Sequence, residues 1–165
     1  MAKIGVKKRY SLRKSKVSDI FNKLEEQIGE SSALFKKERI EVVETTADFE
    51  LYLTDKNPWL MELNGWVFPT LRGIVKNSFP ERKVVVDAGA VSYMVNGADL
   101  MRPGVISVGR DIKKGLPFVI YEVTHGKPLA IAEALMDAAE MEAADKGKVG
   151  KNIHYVGDDL WNLEF

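Results

Sequence analysis

Between Lys83 and Phe165 short apolar runs are broken repeatedly by glycine- and proline-bearing turns, and this spacing constrains the fold more than any other feature of the chain. Val84-Val85-Val86, Val105-Ile106-Ser107-Val108, Pro117 to Thr124, Leu129 to Met136 and Lys151 to Val156 are runs of strand length. Asn96-Gly97, Pro103-Gly104, Asp111 to Gly115 and His125-Gly126-Lys127 separate them with residue types that supply turn geometry. Asp87 can cap a short helix carrying Ala90, Val91, Met94 and Val95 inward, and Ala98 to Arg102 reads as extended. The Ala-rich, acidic stretch from Asp137 to Lys146 reads as a helical excursion. Many short strands joined in this way predict a sheet closing on itself, because closure removes unpaired edges.

The first half has a different texture. Val17, Ile20, Phe21, Leu24 and Ile28 form the apolar stripe of a helix, with Ser15 as its expected cap and Gly29 as its end. Val6 to Arg13 reads as a strand, as do Glu38 to Thr45, Phe49 to Thr54, and Trp59 to Val67 with a break at Gly65. Asp55 to Pro58 is a turn, and Thr70 to Asn77 a short helix. Phe79-Pro80-Glu81 marks a boundary, giving an α+β N-terminal domain over 1–80 and a mostly β domain over 81–165.

Charge is balanced, with 24 basic and 24 acidic residues, so bulk composition does not identify a nucleic-acid binder. Its distribution is uneven. Lys7, Lys8, Arg9, Arg13, Lys14 and Lys16 lie in an opening stretch without acids and form a candidate basic contact surface. No apolar run is long enough to span a membrane, the N-terminus lacks the apolar core of a secretory signal, and there is no cysteine, so a cytoplasmic protein is expected.

Nothing in the sequence forms a nucleophile–base pair. The two histidines, His125 and His154, stand in no zinc-binding spacing, and Gly104 to Gly109 lacks the Lys-Ser/Thr that would make it a phosphate loop. Asp158-Asp159 beside Gly157 reads as a turn. The expectation is a binding protein that is not an enzyme and uses no cofactor or metal. Trp161 is expected to seal the barrel floor, and Trp59 and Trp66 to fill the first domain or its seam.

At Val86 to Gly104 the residues become specific. Val86-Asp87-Ala88-Gly89-Ala90 and Asn96-Gly97-Ala98-Asp99-Leu100-Met101-Arg102-Pro103-Gly104-Val105 resemble the PUA module, named for pseudouridine synthases and archaeosine transglycosylases, where it holds RNA. Gly126 to Ala132 resembles the module's glycine turn and following strand, with Ala132 where the family usually has glycine. Lys146 to Tyr155, Asp158 to Trp161 and Phe68 to Arg72 resemble the malignant-T-cell-amplified-sequence family, including its archaeal members, which is related to the ligatin-type translation initiation factor.

This resemblance implies a PUA pseudo-barrel and RNA bound between the first short helix, the strand after it, and the closing strand. The residues so implicated are Gly89, Ala90, Tyr93, Gly97, Ala98, Asp99, Leu100, Met101 and Arg102, facing His154 and Tyr155. Gly89 and Ala90 would let a sugar-phosphate backbone approach, a helix start at Asp87–Gly89 would offer N–H groups, Arg102 would fork onto phosphate, and Tyr93 or Tyr155 would stack on a base. Expected partners are ribosomal RNA or tRNA, the small ribosomal subunit and a translation-factor protein, with no membrane. The alternative is an adaptor whose N-terminal domain docks an initiation factor or an RNA-modifying enzyme.

Overall fold

The computed structural model describes residues 3–165; Met1 and Ala2, at the start of the expected first domain, lie outside the described residues. The chain forms two compact units, one comprising the chain up to Phe79 together with Asn162–Phe165, the other Pro80–Trp161. The last four residues therefore pack with the first unit, where Arg72 Nη1 donates to Leu163 O at 2.7 Å.

The first unit is a five-stranded antiparallel meander in sequential order: β1 (Val6–Ser11), β2 (Glu41–Thr45), β3 (Glu50–Thr54), β4 (Asn57–Leu63) and β5 (Trp66–Pro69). Helix α1 (Lys14–Ile28) buries the expected stripe of Val17, Ile20, Phe21, Leu24 and Ile28. Its N-cap is Arg13 rather than Ser15, and it carries no side-chain cap hydrogen bond. Gly29 ends it with φ at 56°, and the chain continues as a 3-10 segment, Gly29–Phe35, that hydrophobic spacing did not reveal. The stretch read as one strand with a break at Gly65 is two. Asn64 and Gly65, with φ of 51° and 83°, make a two-residue hairpin between β4 and β5, the geometry an Asn-Gly pair favours. Asp55 and Lys56 turn the preceding hairpin in the same left-handed region. Thr70 caps α2 (Leu71–Lys76), its hydroxyl accepting from Gly73 N at 3.2 Å. Trp59 and Trp66 are both buried, and Trp59 packs against Phe35 at 5.4 Å between ring centroids while donating to Phe35 O at 2.7 Å.

The second unit is a six-stranded half-barrel in the order β7-β11-β10-β9-β6-β8. Its strands are β6 (Lys83–Val86), β7 (Leu100–Met101), β8 (Val105–Val108), β9 (Pro117–Glu122), β10 (Pro128–Ala134) and β11 (Lys148–Tyr155). Only β6 and β9 pair in parallel. A 3-10 turn at Ala88–Ala90 leads into α3 (Val91–Met94), and α4 (Ala138–Ala143) is the Ala-rich excursion, shorter than expected. Val84, Val86, Leu100, Phe118, Ile120, Met141 and Val149 form the core. Ala132 is fully buried, and the room a glycine would give there comes instead from Gly150 on β11, where an added Cβ would stand 2.7 Å from Phe118 Cζ. Trp161, expected to seal the barrel floor, is only partly buried, whereas its neighbour Leu160 is 2% exposed.

Candidate nucleic-acid interface

One side of α3 and the strand that follows it form an open groove of about 370 Å³, lined by Asp87, Gly89, Ala90, Tyr93, Ala98, Asp99 and Met101 among others. Its shape begins with Asp87. This residue donates its N–H to Gly104 O at 3.0 Å, and its Oδ1 accepts from Ala90 N at 3.0 Å. The carboxylate thus occupies the end of the short helical segment, and the expected anion site at Asp87–Gly89 is taken by the protein's own side chain. Small residues set the spacing, since a Cβ on Gly104 would stand 3.2 Å from that of Ala90.

The far wall is held by Asn152, a residue that sequence reasoning quoted but gave no role. Its Nδ2 donates to Met94 O at 3.2 Å and Ala98 O at 3.1 Å, and its backbone N–H donates to Asp99 Oδ1 at 2.9 Å. Asp99 Oδ2 pairs with Lys148 Nζ at 3.2 Å, beside the β7–β11 pairing of Met101 with Lys148. Gly97 has φ at 86° and lies over Tyr155, so that a Cβ there would meet Tyr155 Cε1 at 2.9 Å. One asparagine and one tyrosine on β11 therefore clamp the α3–β7 connection, a cross-strand arrangement without a local sequence signal.

The expected site residues separate into two groups. Gly89, Ala90, Tyr93, Ala98, Asp99 and Met101 line the groove. Tyr93 and Met101 are large and exposed, at 66% and 46%. Leu100 gives only floor, with its side chain 1% exposed. Arg102, expected as a phosphate fork, has three of its N–H groups engaged by the fold: Nε, Nη1 and Nη2 donate to the carbonyls of Met141, Val105 and Glu142 at 2.7, 3.1 and 3.2 Å. His154 is corrected from RNA contact to buried joint. It is 1% exposed with Nδ1 2.8 Å from Asp158 Oδ2, so its ring cannot touch RNA in this fold. Asp158 additionally accepts from Tyr155 N and Trp161 N, and forms the turn expected there. Burial pushes the Asp158 carboxyl up, but the His154 hydrogen bond and charge and the two backbone N–H groups outweigh it and hold the pKa below the ordinary carboxylate value.

The groove is lined by no cation; its charged walls are Asp87 and Asp99. Exposed Lys146, Lys148 and Lys151 lie on or just before β11. The six cations of the candidate basic contact surface are all exposed: Lys7, Lys8 and Arg9 on β1, Arg13 at the N-cap of α1, and Lys14 and Lys16 in its first turn. Arg9 is committed to Glu41, with Nε 2.6 Å from Oε2. Arg13, Lys14 and Lys16 stand at the unfavourable end of the α1 dipole without a first-turn acid, and Lys16 lies 4.0 Å from Asp19 Oδ2 one turn on. Among the described residues there is no cluster of three or more His, Asp or Glu side chains that could hold a metal, and no helix long and apolar enough to cross a membrane.

A half-barrel whose first helix and short second strand frame an open groove is the arrangement of a PUA protein, and the comparisons agree. Residues 82–156 match the PUA domain family and residues 3–77 match the Pre-PUA-like domain family. The chain is 40% identical over 162 residues to an uncharacterized protein of Methanocaldococcus jannaschii, covering 96% of this chain and 98% of that one. It is 32% identical over 158 residues to translation machinery-associated protein 20 of Saccharomyces cerevisiae, covering 91% and 85%. A hypothetical protein from the hyperthermophilic archaeon Pyrococcus horikoshii has a similar crystal structure, with a TM-score of 0.84, 30% identity, and coverage of 93% and 98%. The chain belongs to the PUA-domain family that includes translation machinery-associated protein 20 and the malignant T-cell-amplified sequence proteins.

Proposed function

We propose that the protein is a cytoplasmic RNA-binding factor of translation that holds an unpaired segment of ribosomal RNA or tRNA in the groove beside α3 and β7. The observation that carries this reading is the exposure of Tyr93 and Met101 on its walls, 66% and 46%. Neither side chain gains much burial in the fold, and both offer what an unstacked base needs, an aromatic face or a polarizable apolar surface. The PUA match supports RNA as the ligand, and the name of the yeast relative supports translation as the setting. Lys146 and Lys151 supply attraction for the phosphates beside Lys148, which is paired with Asp99, and Arg13, Lys14 and Lys16 add longer-range attraction for ribosomal RNA.

The test is fluorescence anisotropy with a single-stranded RNA and a tRNA, using wild type and Tyr93→Ala and Met101→Ala variants. Each substitution is expected to weaken binding by about 1–3 kcal/mol, the scale of one base stack, with a stability change within about 0.5 kcal/mol for an exposed position. Unchanged affinity in both folded variants would overturn the groove assignment. The adaptor reading, in which the first unit docks a protein, is favoured separately by the exposure of all six β1 residues.

A further inference from the structure

Strand β1 ends its sheet. It pairs with β2 alone, and all six of its residues, Val6–Ser11, are exposed. Leu12 N donates to Ile40 O at 2.8 Å, and Tyr10↔Val42 and Lys8↔Glu44 follow in the same register. Antiparallel ladders alternate, so the backbone groups of Tyr10 and Lys8 turn toward β2 while the N–H and C=O of Arg9 and Ser11 point away from it. No strand other than β2 reaches them among the described residues.

Such an edge is a template for another strand, guarded here by charge and by the irregular register between Val6 and Lys8. Lys7 and Lys8 are exposed and form no salt bridge among the described residues, although Glu44 stands across from Lys8; Glu41, across from Ser11, is engaged by Arg9. Exposed Val6 and Tyr10 flank the two lysines. A second copy is disfavoured, because antiparallel pairing of β1 with itself would bring these cations together.

We propose that β1 docks an extended acidic segment of a partner protein by strand addition. The outward N–H groups of Arg9 and Ser11 would supply the main-chain bonds, and Lys7 and Lys8 the charge selection. A nucleic acid fits this edge less well. Its outward carbonyl oxygens alternate with the N–H groups and repel phosphate, and the one guanidinium on the strand is engaged by Glu41. The inference rests on the adaptor reading, independently of the RNA groove.

The experiment titrates the full chain with a synthetic peptide alternating glutamate with threonine, following amide hydrogen exchange by NMR. Exchange at Arg9 and Ser11 is expected to slow by about tenfold or more, with far less change at Lys8 and Tyr10, which already face β2. The same peptide N-methylated at alternate residues is expected to bind about tenfold more weakly or worse, having lost its main-chain donors. A Lys7→Glu/Lys8→Glu variant, altered only at exposed positions, is expected to reject the acidic peptide and accept a lysine–threonine one. Equal binding of the N-methylated peptide would keep a charge-selective adaptor and overturn strand addition. Binding of neither peptide would overturn both at this edge. Slowing of Arg9 and Ser11 exchange by single-stranded RNA instead of peptide would assign the edge to nucleic acid and also overturn the proposal.

Discussion

Replacing Asp158 by Asn tests whether the close of β11 is a structural joint or part of an RNA surface. The carboxylate is buried and accepts three hydrogen bonds: from Tyr155 N at 2.9 Å, from Trp161 N at 2.8 Å, and with His154 Nδ1 at 2.8 Å. Asn has nearly the same shape but turns one acceptor into a donor. Oδ2 serves Tyr155 and His154, and Oδ1 serves Trp161, so either orientation of the new amide points its NH₂ at a backbone N–H. One buried donor left unmatched costs about 1–3 kcal/mol. For a unit of this size that lowers the melting temperature by roughly 5–20 °C, at about 4–8 °C per kcal/mol. Asp158→Ala, which removes all three acceptor contacts, should cost about 3–5 kcal/mol.

The pH dependence gives a second readout. The folded pKa of Asp158 lies below its unfolded value of 3.8, so the stabilisation is present above pH 4 and is lost as pH falls through the folded value. The gap between wild type and D158N should therefore be full at neutral pH and narrow below about pH 4. Urea unfolding followed by circular dichroism across this range measures it. Equal stability of the two proteins at pH 7, or a gap that holds its size down to pH 2, would refute the reasoning.

Three further outcomes follow from the geometry. Arg102→Ala should lower stability by about 1–3 kcal/mol in urea, since three N–H groups leave three carbonyls, while changing RNA affinity less than about threefold where the protein is folded; a large affinity loss with unchanged stability would restore the phosphate fork. Gly150→Ala should cost about 1–3 kcal/mol by overpacking against Phe118, and adding Phe118→Leu should recover part of it, giving a coupling of at least about 0.5 kcal/mol in a double-mutant cycle. Gly97→Ala should cost about 1–2 kcal/mol for its positive φ alone, and should shift the Tyr155 ring resonances in NMR because the added methyl meets Cε1 at 2.9 Å.

Local sequence carried the elements that depend on local rules. The α1 stripe, Thr70 and Asp87 at helix starts, and the glycine turns each answer to neighbours within a few residues, and they form where periodicity and turn chemistry place them. The PUA resemblance then identified the right stretch of chain. What it could not carry was the direction of individual side chains, because that is fixed across strands. Arg102 and His154 are residue types that read as RNA ligands, yet each is claimed by partners distant in sequence or across a turn: Met141 and Glu142 about forty residues on for Arg102, and the Asp158 turn for His154. Met101 and Tyr93 are exposed because β7 is only two residues long and α3 only four, too short to bury both faces. The groove therefore divides its residues between frame and wall. Arg102 and His154, the polar residues that looked like its readers, are engaged in its frame, while Tyr93 and Met101 keep exposed surface on its walls. This predicts where mutation separates folding from binding, since changes at Arg102, Asn152, His154 and Asp158 should move stability first, and changes at Tyr93 and Met101 should move RNA affinity with the fold intact.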